Sequence, residues 1–293
     1  MQNGDFTFIH YGFGGDDLSP QLSLLSDNAT GFLNIKPRDN IFTIKFDTAK
    51  RFCTGWHDLE TTKSFPCPNS AETTSQYDQC RACQQRTGFN PAFYHASEIS
   101  PQQQARNQQP HILYLAHFAP GIVKVGISWE GRGIRRLLEQ GARSAIIIKT
   151  FPDATQARML EASIARLPHV AETLQVRNKL ALLNKKYDSA AAINELQEVA
   201  KSIANQHQID IKSTPEHLDK YYFSQNQPQS GFIDLSKQQQ ISGKCIGMIG
   251  GILFFEHDDQ HFALSLSKLK GYRVNISNSI QKNQHEPVQA SLF

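Results

Sequence analysis

The chain has 293 residues and a formal net charge of +3, long enough to bury a substantial core and to form two or three domains. Composition is ordinary and globular, and so small a net charge does not by itself argue for a polyanion partner. No apolar run reaches the ~18 residues of a membrane-spanning helix, and the N-terminus lacks a basic-then-apolar signal. The expectation is a cytoplasmic protein with no membrane partner, in which thiols stay reduced and clustered cysteines favour metal over disulfide.

Residues 1–52 carry short apolar runs with polar breaks: Phe6–Ile9, Leu22–Leu25 and Ile41–Phe46. The last alternates at period two and reads as a strand. Gly12-Phe13-Gly14-Gly15 follows an aromatic strand without the Lys-Ser/Thr of a phosphate loop, so it reads as a turn. Cys53, Cys67, Cys80 and Cys83 come next, with Cys80 and Cys83 at the knuckle spacing of structural zinc. Four thiolates satisfy a tetrahedral zinc ion without help, and Thr54, Gly55, Pro66 and Pro68 supply tight bends. His57 is an alternative to Cys53. The other readings are four ordinary reduced cysteines, or a redox pair lacking its strand-then-helix context. Cys245 stands apart and reads as a small core residue.

Residues 97–110 are rich in Gln, Pro and Ser and read as a linker. Two strands follow, His111–Phe118 and Ile122–Ser128, joined by Ala119-Pro120-Gly121. Arg132–Gln140 reads as a helix stopped by Gly141, Ser144–Phe151 as a buried strand, and Asp153–Leu167 as a helix capped by Asp153 with Gln156 as its partner. Arg132, Arg136 and Gln140 share one helix face, and Glu161 sits at the margin of the stripe Ala157, Leu160, Ile164, Leu167. Tyr114, Lys124, Arg136 and Glu161 are therefore expected to converge. Between 110 and 205, thirteen Lys/Arg stand against eight Asp/Glu, a local excess that permits DNA as a partner.

Residues 171–207 read as two helical runs, with Lys185 and Lys186 on outer faces. Residues 208–280 turn to short strands: Ile209–Ile211, Gly231–Ile233, Gly243–Met248, Gly251–Phe255, His261–Leu266 and Gly271–Ile276. These read as a small antiparallel sheet or barrel, with packing beside the N-terminal strands as one option. His257, Asp258, Asp259 and His261 read as a solvated hairpin tip. The tail ends with Leu292 and Phe293 after a polar stretch. The fold class expected is α+β: a β-rich zinc-binding region over 1–106 with its cysteine segment at 53–83, an α/β domain with helices over 110–205, an antiparallel β region over 208–280, and a tail over 281–293.

The order strand, strand, helix, strand, helix resembles the GIY-YIG nuclease superfamily over roughly residues 110–170. Ile112-Leu113-Tyr114 matches the first signature tripeptide, with Ile for Gly. Lys124-Val125-Gly126 matches the second, with Lys for Tyr. The family's helix arginine falls on Arg136, with Arg132 and Arg135 as alternative registers. Its metal-binding glutamate falls on Glu161, and a position often His or Tyr is Gln140. The pairing with a four-cysteine segment also resembles a family of uncharacterised bacterial proteins. Gln289, Leu292 and Phe293 resemble the peptide that binds the bacterial sliding clamp, in which Leu and Phe fill a pocket and Gln bonds at its edge; the alternative is that they pack on the protein's own surface.

The resemblance implies a metal-dependent phosphodiesterase acting on DNA, with catalytic Tyr114, Lys124, Arg136 and Glu161. Glu161 would hold Mg²⁺ or Mn²⁺ and Arg136 the scissile phosphate. Tyr114 would orient or deprotonate the water, and Lys124 would do so only with a depressed pKa. Arg132, Arg135 and Gln140 would contact DNA, and zinc would be structural. Two alternatives remain: a non-catalytic nucleic-acid-binding module, favoured by the departures at Lys124 and Gln140, and an unrelated protein with a structural zinc.

Overall fold

The structure is a computed structural model and describes residues 3–27, 29–74, 77–90, 99–168, 170–171, 182–183, 187–223, 231–232 and 240–281. In chain order the strands are β1 (Gly4–Gly14), β2 (Ser19–Leu25), β3 (Leu33–Ile35), β4 (Ile41–Arg51), β5 (Trp56–His57), β6 (Ser64–Phe65), β7 (His111–Ala119), β8 (Ile122–Trp129) and β9 (Ser144–Phe151). They continue as β10 (Val170–Ala171), β11 (Glu216–His217), β12 (Gly231–Phe232), β13 (Gln240–Ile249), β14 (Ile252–His257), β15 (Gln260–Ser265) and β16 (Tyr272–Ser277). The helices are α1 (Arg81–Thr87), α2 (Pro101–Asn107), α3 (Gly133–Gln140), α4 (Ala154–Ile164), α5 (Ser189–His207) and α6 (Asp219–Tyr222). The protein is thus a mixed α/β molecule of largely antiparallel sheets with few helices.

The chain divides into two compact units, one made of 1–91 with 221–293 and the other of 92–220. In the first, nine strands of the described residues run in the order β12-β15-β14-β13-β4-β16-β1-β2-β3. The N-terminal strands and the strands of the 208–280 region lie in this one sheet. β4 alternates polar and apolar residues and needs a partner on both edges; β13 and β16 supply them, pairing Ile41–Lys45 with Gln240–Lys244 and Thr43–Asp47 with Arg273–Ser277. Phe42, Ile44, Phe254 and Phe255 are among the core side chains, and Phe42 meets Phe255 edge-on at 5.3 Å. Asp258 and Asp259 take left-handed conformations between β14 and β15, the backbone of a two-residue hairpin turn.

In the second unit the sheet order is β10-β8-β7-β9-β11. β7 lies in the middle with every residue buried, flanked by antiparallel β8 and β9. One sheet face contributes Leu113, Leu115, Val123, Val125, Ile146 and Ile148 to a core closed by Ile164 of α4 and Leu196, Ala200 and Ile203 of α5. The Asp153 carboxylate caps α4 as expected, accepting from the Gln156 backbone N–H at 2.8 Å; the Gln156 amide returns to the same side chain rather than to the backbone. Ile209–Ile211 is not a strand. Ile209 N–H closes α5 onto Ala204 O, and Ile211 packs against the core.

Candidate functional site

Tyr114 is the largest fully buried side chain of β7. Cross-strand pairing sets it opposite Gly126 of β8, and a Cβ at Gly126 would stand 2.5 Å from the tyrosine hydroxyl. The glycine of Lys124-Val125-Gly126 is therefore the floor on which the phenol lies. From α3, Arg136 and Gln140 reach the same hydroxyl. The Gln140 amide oxygen accepts from the Tyr114 hydroxyl at 2.8 Å, from Arg136 Nε at 2.8 Å and from Arg136 Nη2 at 3.0 Å; the opposite amide orientation would set donors against donors. Burial pushes the Tyr114 pKa up, the Arg136 charge and hydrogen bond pull it down, and the Glu161 charge adds to the upward push. The net rise keeps the phenol protonated at neutral pH.

Glu161 of α4 is 5% exposed and is ion-paired with Arg158 one turn earlier on its own helix. Lys124 pairs with Ala116, so it shares a sheet face with Tyr114 two cross-strand pairs further along, partly exposed. Arg132 is exposed and ion-paired with Glu139, and Arg135 is exposed. Of the three arginine registers, Arg136 is the one that meets Tyr114 and Gln140. Gln140, expected on a DNA-facing surface, is instead buried, 8% exposed, because its amide is the acceptor the guanidinium and phenol share.

The four cysteines meet at the other candidate site. Their sulfur atoms all lie within 4.8 Å of one another, and Cys67 Sγ is 3.9 Å from Cys80 Sγ. A tetrahedral zinc with bonds of about 2.3 Å sets its sulfurs about 3.8 Å apart, so this donor set fits such an ion. Among the described residues it is the one group of three or more His, Cys, Asp or Glu able to share a metal. Glu161 belongs to no such group, and His57 turns to Ser64 Oγ at 3.1 Å.

Local backbone builds the cluster. Gly55 has φ +89°, and a Cβ there would meet Phe65 O at 2.0 Å, which lets Gly55 N–H point at Cys53 Sγ at 3.4 Å. Cys80 N–H donates to the same sulfur at 3.1 Å. Trp56 stacks on Phe65 at 4.5 Å, and Asp78 ties the segment back to Arg51 of β4. The Cys83 N–H at the start of α1 draws the Cys80 thiol down to about 7. Burial pushes Cys53 up to about 11 and pushes Cys83 up as well. Ionising such thiols together takes a cation, and a metal releases their protons on binding.

Sequence reading missed a second polar group in the 92–220 unit. His117 Nε2 lies 3.0 Å from Glu195 Oε2 of α5, Arg143 meets Asp219 through two parallel bonds, and Ser144 Oγ meets Tyr187 at 2.6 Å and His217 Nδ1 at 2.9 Å. Ser144 has no solvent exposure, which makes this a fastening between elements rather than a reaction centre. His117 occupies an apolar-face position of β7, so nothing in its neighbourhood in the sequence announced it. Gln289, Leu292 and Phe293 lie outside the described residues, as do Lys185 and Lys186.

The fold and sites define a mixed α/β protein with a four-cysteine cluster competent for a structural metal. Among the described residues no helix is long and apolar enough to cross a membrane. The chain belongs to the family described as "Protein of unknown function (DUF2797)", whose model matches residues 41–274 and so spans both the cysteines and the Tyr114 group. No curated protein and no solved structure matches it.

Proposed function

We propose that this is a DNA-processing protein whose 92–220 unit is a metal-dependent phosphodiesterase of GIY-YIG type, with a zinc ion held by Cys53, Cys67, Cys80 and Cys83 as a structural clip. The observation that carries the reading is the meeting of Tyr114, Arg136 and Gln140 in one hydrogen-bonded group over Gly126, with the Glu161 charge acting on the same phenol. In this reading Arg136 takes the scissile phosphate and Lys124 adds positive charge on the same sheet face. Glu161 would hold Mg²⁺ or Mn²⁺ in place of its partner Arg158. The ion, when bound, supplies charge neutralisation and an acidified water. Tyr114, protonated by its burial, orients Arg136 and does not act as the base. The tail residues Gln289, Leu292 and Phe293 would tether the protein to the sliding clamp.

A second reading, a non-catalytic nucleic-acid-binding module, is favoured by the full burial of Tyr114 and by the Arg158 partner of Glu161. One experiment separates them. Purified protein is incubated with branched and single-stranded DNA, with and without Mn²⁺, beside Glu161→Gln. Metal-dependent cleavage that falls by about 10²–10³-fold in the variant supports the phosphodiesterase. Salt-sensitive binding that survives the substitution without cleavage supports the module. Absence of both removes both. Metal analysis of the same preparation should find about one zinc equivalent, lost in Cys80→Ser and Cys83→Ser; a metal-free protein of equal stability refutes the clip.

A further inference from the structure

We infer that Gln140 is a positioning residue that decides which edge of the Arg136 guanidinium an incoming phosphate meets, an inference that rests on the phosphodiesterase reading above. A guanidinium offers two-point contact either side-on, through Nε and one Nη, or end-on, through both Nη atoms. Here the Gln140 amide oxygen takes Nε at 2.8 Å and Nη2 at 3.0 Å. The side-on edge is consumed inside the protein, which leaves the end-on edge for two-point contact with a phosphate.

The clamp is well held. Gln140 is 8% exposed and stands four residues after Arg136 on α3, one turn along the same face. Its oxygen also accepts from the Tyr114 hydroxyl at 2.8 Å, and that ring lies on Gly126 with no room for a methyl group between them. One uncharged atom therefore fixes a phenol and a guanidinium together. An amide keeps its acceptor at every pH, whereas an imidazole at this position would become a second cation beside Arg136 on protonation. A glutamine at 140 thus makes the placement of Arg136 independent of pH.

The test uses the full-length protein and a fluorescein-labelled single-stranded oligothymidylate of about twenty nucleotides, a length that covers one binding groove, read by fluorescence anisotropy. Gln140→Leu keeps the volume and removes the acceptor. The expected result is affinity lowered about tenfold, the scale of one charge-assisted hydrogen bond, in a variant that keeps a dispersed amide NMR spectrum at the assay temperature. The ¹⁵N NMR signal of Arg136 Nε–H, assigned by its absence in Arg136→Lys, should be protected from exchange in the parent and lost in Gln140→Leu. In Gln140→His the affinity relative to the parent should fall as pH drops through the ordinary histidine range. A parent that binds the oligonucleotide, with Gln140→Leu binding equally well and the Nε–H signal unchanged, overturns the inference and leaves the phosphodiesterase reading standing. A parent that fails to bind overturns the reading and the inference with it.

Discussion

A methyl group added at Gly126 would lie 2.5 Å from the Tyr114 hydroxyl oxygen and 2.7 Å from Cζ. The ring has no solvent exposure into which it could retreat, so Gly126→Ala must displace it and break its bond to Gln140. Overpacking of this kind costs about 1–3 kcal/mol. Equilibrium urea unfolding should show that loss, while Gly31→Ala, with nothing within 4 Å of its added Cβ, should stay within about 0.5 kcal/mol. An unchanged Gly126→Ala would mean that the ring does not lie on the strand. At this scale the sequence was readable where spacing alone fixes neighbours. Tyr114 and Gly126 fall opposite each other once the Ala119-Pro120-Gly121 turn is recognised, and Arg136 and Gln140 are one helical turn apart. The i,i+3 spacing offered Arg158 as one partner of Glu161, with Arg132 as the other, and the structure pairs it with Arg158. It was not readable that Gln140 points inward, because apolar periodicity ranks faces and does not choose among polar partners at their margins.

β7 is buried along its whole length yet contains two histidines, His111 and His117. His117 Nε2 faces Glu195 of α5 at 3.0 Å, and the same carboxylate oxygen accepts from Gly121 N–H at 3.2 Å, so α5 is fastened to the β7–β8 hairpin at its turn. Burial pushes the His117 pKa down, the Glu195 hydrogen bond and charge oppose this, and the Arg143 charge adds to the fall. Burial also pushes His111 down. With both values below the ordinary value of about 6.5, the unfolded chain binds protons that the folded chain refuses. Stability is therefore full above about pH 6.5 and declines as pH falls from there toward the depressed folded values. Urea unfolding from pH 7.5 to 5 should show this decline, and His117→Gln, which keeps a donor toward Glu195, should make it shallower by up to about 1.4 kcal/mol per pH unit. Identical slopes would show that His117 does not titrate differently in the two states. The elements themselves were legible here: β7, β8, β9 and the Asp153-capped α4 follow from apolar period and turn residues. The two-residue strands β10 and β11 were not, because so short a stretch carries no period and is strand only by its neighbour's hydrogen bonds.

At the scale of the molecule, the 1–91 and 221–293 segments share one sheet, although roughly the whole central unit separates them in the chain. Alternation in Ile41–Phe46 tells which side chains face inward; it does not say which distant strand lies alongside, and for that reason the sequence left the packing of the two β regions together as one option. The pairing has a consequence for autonomy. β4 borders β13 and β16, and β1 borders β16, so a fragment ending at residue 91 would leave both edges of β4 and one edge of β1 unpaired. Open edges of that length template association with other chains. The 92–220 unit contains its own sheet and the core that α4 and α5 close. Expressed alone, 92–220 should unfold cooperatively in urea and give a dispersed amide NMR spectrum, whereas 1–91 alone should aggregate or stay unfolded and recover order only when 221–293 is supplied. A folded, monomeric 1–91 fragment would show that the central strands of its sheet do not need their C-terminal neighbours.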